Sequence, residues 1–296
     1  MAEVNRESSV SLDEMVQGLP VQQVRNIVSR AFVEDLGKGD VTTTLTVPES
    51  AKARGIFYSK QPLVVAGFPV AEEVFRMLQP DYRWDAVISD GMEVPAGQPL
   101  ARVEGRAATL LSGERVALNF LQRLSGVATL TRKYKDQLAG LKTELLDTRK
   151  TTPGLRILEK YAVRMGGGTN HRMGLDDGIL IKNNHIAIAG GIGAAVESVN
   201  RDKPAGMPIE VEVRTRLELE EAIAAGAEIA LLDNMVPEEV AECVGLARGR
   251  VLLEVSGGVR LDNIRAYAET GVDRISVGAL THSAAAVDIN FLIEPV

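Results

Sequence analysis

The sequence predicts a two-domain α/β protein whose second half is a βα barrel with fewer than eight strands. Three observations carry this. Apolar runs at 209–213, 229–232, 251–255 and 275–277 are separated by helical patterns, and Val211, Leu232, Leu253 and Val277 follow one another at spacings of 21, 21 and 24. Short apolar runs that alternate with helices mark parallel strands covered on both faces. Two earlier runs, Glu144-Leu145-Leu146-Asp147 and Gly178-Ile179-Leu180-Ile181-Lys182, extend the series to about six strands. The length, 296 residues, is where one core usually gives way to two.

Taken in order, Ser11 with Glu14 predicts a capping box, and Val24, Ile27, Val28, Ala31 and Phe32 give the apolar face of a helix that follows Pro20 and stops near Gly37. Between 51 and 106, stretches such as Gly55-Ile56-Phe57-Tyr58 and Leu63-Val64-Val65-Ala66-Gly67, separated by turns, read as a small sheet. The segment from Gly91 to Leu100 looks like the hairpin of a biotinyl or lipoyl carrier domain, but no lysine occupies its tip, so a structural hairpin is expected. From Leu111 a long helix through Leu118, Leu121, Leu124 and Ala128 leads into the barrel, with the first domain taken as 1–117 and the barrel as 118–279. Within the barrel, Thr215 with Glu218 predicts a capping box, Asn234 with Pro237 opens a helix, and Gly226 and Gly271 end helices.

Composition excludes several classes of function. A net charge of −7 supplies no global positive field for nucleic acid or an anionic membrane, so any bound anion must be met by a local cationic cluster. The single cysteine, Cys243, allows no internal disulfide and no thiolate zinc site, which fits the cytoplasm. No apolar run approaches a membrane span, and the polar N-terminus is not a signal peptide.

In a βα barrel the active face is formed at the C-terminal ends of the strands. Every strand here ends in polar residues: Asp147-Thr148-Arg149-Lys150, Lys182-Asn183-Asn184-His185, Glu210, Glu212 and Arg214, Asp233-Asn234, Glu254 and Ser256, and Ser276. Charges that alternate with apolar residues on a covered strand cannot all reach open water, and burying them costs several kcal/mol each unless they are paired. An internal ion-pair network would explain any one of them; their recurrence favours a site. The cations Arg149, Lys150, Arg172 and Lys182, with His171 beside them and Arg115 on the preceding helix, point to a small substrate carrying several negative charges. Ser256-Gly257-Gly258 after one strand and Gly278 after the last have the form of a phosphate cup. The run Gly166-Gly167-Gly168 implies a mobile or closely approached loop, here expected to close over substrate.

These motifs resemble the quinolinate phosphoribosyltransferase family. The resemblance rests on Asp147-Thr148-Arg149-Lys150-Thr151-Thr152-Pro153-Gly154, Gly166-Gly167-Gly168-Thr169-Asn170-His171-Arg172, Leu180-Ile181-Lys182-Asn183-Asn184-His185, Glu210-Val211-Glu212-Val213, Leu232-Asp233-Asn234 and Ser256-Gly257-Gly258, and begins as early as Glu34-Asp35-Leu36-Gly37. It implies an open barrel of about six strands and an N-terminal α/β sandwich completed by 280–296. It also implies an oligomer, at least a dimer, with shared sites. The implied reaction joins quinolinate to 5-phosphoribosyl 1-diphosphate with loss of CO₂, with Mg²⁺ carried mainly by the diphosphate substrate. Quinolinate would be met by Thr148, Arg149, His171, Arg172 and Lys182, and by Arg115 from the partner chain. The ribose diphosphate would be met by Lys150, Glu212, Asp233, Ser256, Gly257, Gly258 and Gly278, with Lys150, Glu212 and Asp233 as the catalytic set. The rivals are a phosphoribosyltransferase for another aromatic acid such as nicotinate, and a non-catalytic protein that binds a phosphorylated metabolite.

Overall fold

The structure, a computed structural model, describes residues 15, 16 and 18–296, so the capping box expected at Ser11 and Glu14 lies outside the described residues. The chain forms two compact units: one runs to Gly126 and takes in Ala285–Val296, the other is Val127–Ala284.

In the first unit β1 (Met15–Val16) pairs with β2 (Leu19–Pro20), and α1 (Val21–Asp35) follows Pro20 as the sequence predicts, burying Val24 and Val28. A short α2 (Val41–Thr46) is capped by Asp40, whose carboxylate accepts from the Thr43 amide at 2.9 Å and from its hydroxyl at 2.6 Å. Then come β3 (Lys52–Ser59), β4 (Leu63–Val64), α3 (Phe68–Leu78), β5 (Arg83–Ala86), β6 (Glu93–Val94) and β7 (Pro99–Arg106). β3 alternates buried and half-buried residues, and β7 and β5 pair antiparallel on one side of it. The ring of Phe57 on β3 packs 6.3 Å from Phe75 of α3 and 6.0 Å from Trp84 of β5, which joins helix to sheet. The hairpin expected at 91–100 does not form. β6 pairs with β4, whereas β7 belongs to the larger sheet, because the intervening turn bonds to Ser59 instead of to itself: Gly97 N–H donates to the Ser59 carbonyl at 2.8 Å and Gln98 N–H to the Ser59 hydroxyl at 3.0 Å.

The helix α4 (Ala107–Gln137) is continuous, and the division between the units falls within it, at 126/127. The second unit then runs β8 (Glu144–Leu146), α5 (Arg156–Met165), β9 (Ile179–Ile181), α6 (Asn183–Ala189), α7 (Ile192–Asp202), β10 (Ile209–Val213), α8 (Arg216–Ala225), β11 (Ile229–Asp233), α9 (Pro237–Ala247), β12 (Leu252–Ser256), α10 (Ile264–Glu269), β13 (Arg274–Ser276) and α11 (Ala279–His282). Its six strands lie in the order β8-β13-β12-β11-β10-β9, every pair parallel, and β8 and β9 are not paired with each other. This is the open α/β barrel the sequence predicts. Beside β8 the chain at Thr169 continues the edge, its amide donating to Leu145 and its carbonyl accepting from Asp147. The residues that follow, Asn170 to Arg172, are thereby brought to the open side of the barrel. The last strand, β14 (Ile289–Pro295), returns to the first unit and pairs with β3, so the sheet there reads β14-β3-β7-β5. Among the described residues no helix is long and apolar enough to cross a membrane.

Two expectations change in the barrel. Thr215 accepts from Glu218 N–H at 3.1 Å, but the Glu218 carboxylate takes the amide of Arg214, one residue before the cap, so only half of the box forms. The glycine run at 166–168 is not a lid. It ends α5, with Gly167 at φ +90 and the Gly168 amide bonded to the Val163 carbonyl, and a Cβ on Gly166 would lie 2.5 Å from the Ala128 carbonyl of α4. Close approach of two helices accounts for it.

Candidate active site

Strand pleating turns Ile209, Val211 and Val213 of β10 toward the helices and leaves Glu210 and Glu212 for the barrel interior, and all five are buried. The same parity on β11 and β12 brings Leu231, Asp233, Glu254 and Ser256 inward. They line a cavity of about 440 Å³ at the strand C-termini, together with Thr148, Arg149, Lys150, His171, Arg172, Lys182, Glu212, Gly257 and Gly258. Sequence reasoning gathered most of these residues from segments far apart in the chain, and the fold puts them in one place. Gly278 does not line the cavity but packs against one of its members, since a Cβ there would meet Lys150 Cδ at 2.8 Å. Arg115 lies on α4 in the other unit and is not among the lining residues.

The cations reach the cavity from three segments. After β8, the Thr148 hydroxyl accepts the Lys150 amide at 3.0 Å and so shapes the turn that carries Arg149 and Lys150. Arg149 Nη1 is buried without a hydrogen-bond partner among the described residues, a donor held ready for an acceptor that they do not supply. Arg172 is anchored by Nη1 to the Gly178 carbonyl at 2.9 Å; burial and the nearby Arg149 both lower its pKa. Lys182 opens α6, a helix the sequence reading did not separate from the strand before it. His185 caps it by accepting the Lys182 amide at 2.9 Å, so that histidine has a structural task.

The acids are held less tightly. Glu212 lies 3.9 Å from both Lys182 Nζ and Arg214 Nη2, and Asp233 lies 3.5 Å from Arg214 Nε. Arg214, noted in the sequence only as a strand-end charge, therefore spans both carboxylates. Asp233 is followed by Asn234 in a left-handed conformation, φ +58, whose amide bonds to the Ser256 carbonyl. Asn234 thus belongs to the site's framework as a turn that joins β11 to β12.

Beneath the cations lies a buried support, of which the sequence reading named Asp147 as a strand-end residue and missed Lys160. Asp147 and Lys160 are fully buried and paired at 2.5 Å. Asp147 also accepts the His171 amide at 2.9 Å and the Asn170 side chain at 2.6 Å, while Lys160 donates to the His171 carbonyl at 2.8 Å. Burial raises the Asp147 pKa and lowers that of Lys160, against the mutual attraction that keeps the pair. Lys160 is on α5 between Arg156 and Arg164, a spacing that reads as a solvated helix face. Glu159, beside it, turns to cap the Thr152 amide at 2.9 Å.

A barrel open on one side, with fixed cations, two carboxylates and a glycine turn around one cavity, defines an enzyme that binds polyanionic small molecules. The comparisons with known proteins narrow this. Models of the quinolinate phosphoribosyl transferase N-terminal and C-terminal domains match residues 40–125 and 127–292. A probable nicotinate-nucleotide pyrophosphorylase (carboxylating) of Bacillus subtilis strain 168 is 43% identical over 275 residues, 90% of this chain and 92% of the relative. A nicotinate-nucleotide pyrophosphorylase (carboxylating) of Mycobacterium leprae strain TN is 42% identical over 283 residues, 93% and 99%. The solved nicotinate-nucleotide pyrophosphorylase of Francisella tularensis superimposes with a TM-score of 0.89 at 40% identity, covering 97% of this chain and all of that one. The chain belongs to the quinolinate phosphoribosyltransferase family.

Proposed function

We propose that the cavity joins quinolinate to 5-phosphoribosyl 1-diphosphate, releasing diphosphate and CO₂ and leaving nicotinate mononucleotide, a step of NAD biosynthesis. The carrying observation is that Arg149, Arg172 and Lys182 line the same cavity as Glu212 and Asp233. Two ring carboxylates need more than one fixed cation, and planar guanidinium groups suit them. Arg149 and Arg172 take that role with Lys182, and His171 and Thr148 lie beside them. A nicotinate enzyme would need to neutralise one carboxylate only, and a phosphometabolite sensor would not set two acids beside its anion.

Departure of diphosphate from ribose C1 leaves positive charge on the sugar, which Glu212 and Asp233 stabilise as it develops. Lys150 meets the departing diphosphate, Ser256, Gly257 and Gly258 hold the 5-phosphate, and Gly278 packs behind Lys150. Mg²⁺ would come with the diphosphate substrate, bound mainly through it, and would offset its charge, with Glu212 and Asp233 on the ribose and metal side of the cavity. Once the ring nitrogen is bonded to ribose it is cationic, and the electron pair left at C2 as CO₂ departs is stabilised by the ring itself until C2 takes up a proton from solvent, which gives nicotinate mononucleotide. The protein's part is to position the groups and exclude water. Arg115 completes the diacid site from a second copy, which makes the working form at least a dimer, and the cytoplasm is the expected compartment. Incubating the protein with quinolinate, the ribose diphosphate and Mg²⁺ should release CO₂ and diphosphate in equal amounts. Release of diphosphate with nicotinate but not quinolinate would replace this reading, as would binding without turnover.

A further inference from the structure

Two acids inside the barrel have no part in the reaction above. Glu210 of β10 and Glu254 of β12 point inward on either side of β11, and the imidazole of His171 enters between them. Its Nε2 lies 3.2 Å from Glu210 Oε2 and 3.6 Å from Glu254 Oε1. The Glu254 side chain is 1% exposed and that of Glu210 6%. Among the described residues Glu210 Oε1 and both Glu254 oxygens lack a hydrogen-bond partner of good geometry, and Ser276 of β13 is the one hydroxyl near enough to favour the Glu254 carboxylate. The cations nearest the group are bonded elsewhere and act on it only through space: Arg274, beside Glu254 across the β12–β13 pairing, bonds Glu144 at 3.4 Å and favours the Glu254 carboxylate, Arg172 bonds Gly178 and faces Glu210, and Lys160 pairs with Asp147 and disfavours a charged His171. Two ionised carboxylates beside a neutral ring are costly in so dry a place, so at and below neutral pH one proton is kept among the three groups.

That proton has two possible homes with the same net charge: an imidazolium between two carboxylates, or a neutral imidazole between one carboxylate and one carboxylic acid. The main chain decides between them. The Arg172 amide donates to His171 Nδ1 at 2.8 Å, so Nδ1 bears a lone pair and the ring hydrogen sits on Nε2, facing Glu210. The carboxylates favour a charged ring and raise the His171 pKa against the opposing effect of burial, but protonating Nδ1 would set two hydrogens against each other. The proton therefore rests on Glu254, whose carboxyl is pushed up to about 7 by burial and by Glu210. The same tautomer argues against a metal ion, although the three donor atoms lie within 4.8 Å of one another. A ligating Nε2 needs the hydrogen on Nδ1 with an acceptor beside it, and Nδ1 here faces a donor.

We propose that Glu254, held as the neutral acid, and Glu210, held as the carboxylate, lock His171 in its Nε2–H tautomer and through Nδ1 fix the main chain of Arg172 at the diacid site. Both are positioning residues, and their effect on substrate rests on the quinolinate reading of the cavity. As pH rises and Glu254 ionises, a second negative charge appears beneath the cations and the grip on the ring weakens, so diacid affinity falls.

The test has two arms. The first needs no substrate: the full chain labelled with ¹⁵N-histidine has three histidines to assign. At about pH 6.5 the His171 signals should be those of the neutral Nε2–H form, unmoved by added Zn²⁺. An imidazolium, an Nδ1–H tautomer, or a shift of Nε2 on adding Zn²⁺ would overturn the proposal. The second arm measures quinolinate affinity by calorimetry. Between about pH 6.5 and 8.5 the dissociation constant should rise about fivefold or more in the unsubstituted protein and less than about twofold in Glu254→Gln, as linkage to one proton requires. An equal rise in both proteins would also overturn it. Absence of quinolinate binding at every pH would count against the substrate assignment, while the histidine spectrum would still decide the tautomer and with it the positioning role.

Discussion

Replacing Lys160 with Met removes one half of a fully buried ion pair and keeps most of the side chain's volume, so the loss is mainly electrostatic. Breaking such a pair by deleting one partner costs about 3–5 kcal/mol, because the remaining charge is left in the interior. Asp147 keeps the His171 amide and the Asn170 side chain as donors, which places the effect near the lower end, about 3 kcal/mol. For a folding unit of this size that is a fall of roughly 6–12 °C in melting temperature. The pH dependence supplies a sharper check. Burial already raises the Asp147 pKa with Lys160 present, and without it the folded state binds that proton more firmly still. A carboxyl with a raised folded pKa contributes its stability below the unfolded value and loses it as pH climbs through the folded one. The deficit of Lys160→Met should therefore be larger at about pH 7.5 than at about pH 5. Adding Asp147→Asn should recover part of it at the higher pH, since no charge is then stranded. Scanning calorimetry at both pH values measures this. A fall of less than about 2 °C, or a deficit that does not change with pH, would refute the reasoning.

Arg172→Ala and Lys182→Ala should each raise the KM for quinolinate by about tenfold or more while melting stays close to that of the parent, because each removes a cation facing the diacid; unchanged steady-state kinetics would remove them from the site. Glu212→Gln and Asp233→Asn should lower kcat more than they alter KM for the ribose diphosphate, since their charge matters most as the sugar becomes cationic. A loss confined to KM would assign them to ground-state binding. Asn234→Ala should cost about 1 kcal/mol of stability by forcing a Cβ residue without a local hydrogen bond into the left-handed region, and Asn234→Gly should restore the melting point. Equal stability of the two would show that the turn is not strained.

The barrel was legible because parallel strands buried on both faces must be apolar, so β10 to β13 stand out as runs with a near-constant period. The site was legible for a related reason: an acid that interrupts such a run, as Glu212 does in β10, has little place to go but inward. Where two environments share one pattern, the sequence fell short. Lys160 sits at the same four-residue spacing as Arg156 and Arg164, and only the packing of α5 shows that it alone is fully buried. The turn before β7 has the residues of a hairpin, and its outcome depends on Ser59, some forty positions away, taking the amides of Gly97 and Gln98. Three consecutive glycines fit a loop that moves or one that must let a helix pass closely, and the carbonyl of Ala128 decides for the second. Glu210 and Glu254 could be read as inward charges but not assigned, because their task involves each other and His171, contributed by three segments that only the fold brings together.

Several buried polar groups of the barrel form a line of support that ends at one guanidinium. Asp147 and Lys160 hold the amide and the carbonyl of His171, Glu210 holds its Nε2–H, and His171 Nδ1 receives the amide of Arg172. At its far end Arg172 is tied to the Gly178 carbonyl. An arginine free in water loses rotamer entropy worth about 2 kcal/mol when it is ordered around a substrate. Here that ordering is completed during folding, so it is not charged again to each binding event. A buried ion pair is a poor device for stability, since apolar residues of the same volume do as well or better. Its retention beneath the cavity makes physical sense if its purpose is geometric, because an apolar replacement could fill the space but offer neither the donor nor the acceptor that fixes the chain on both sides of His171.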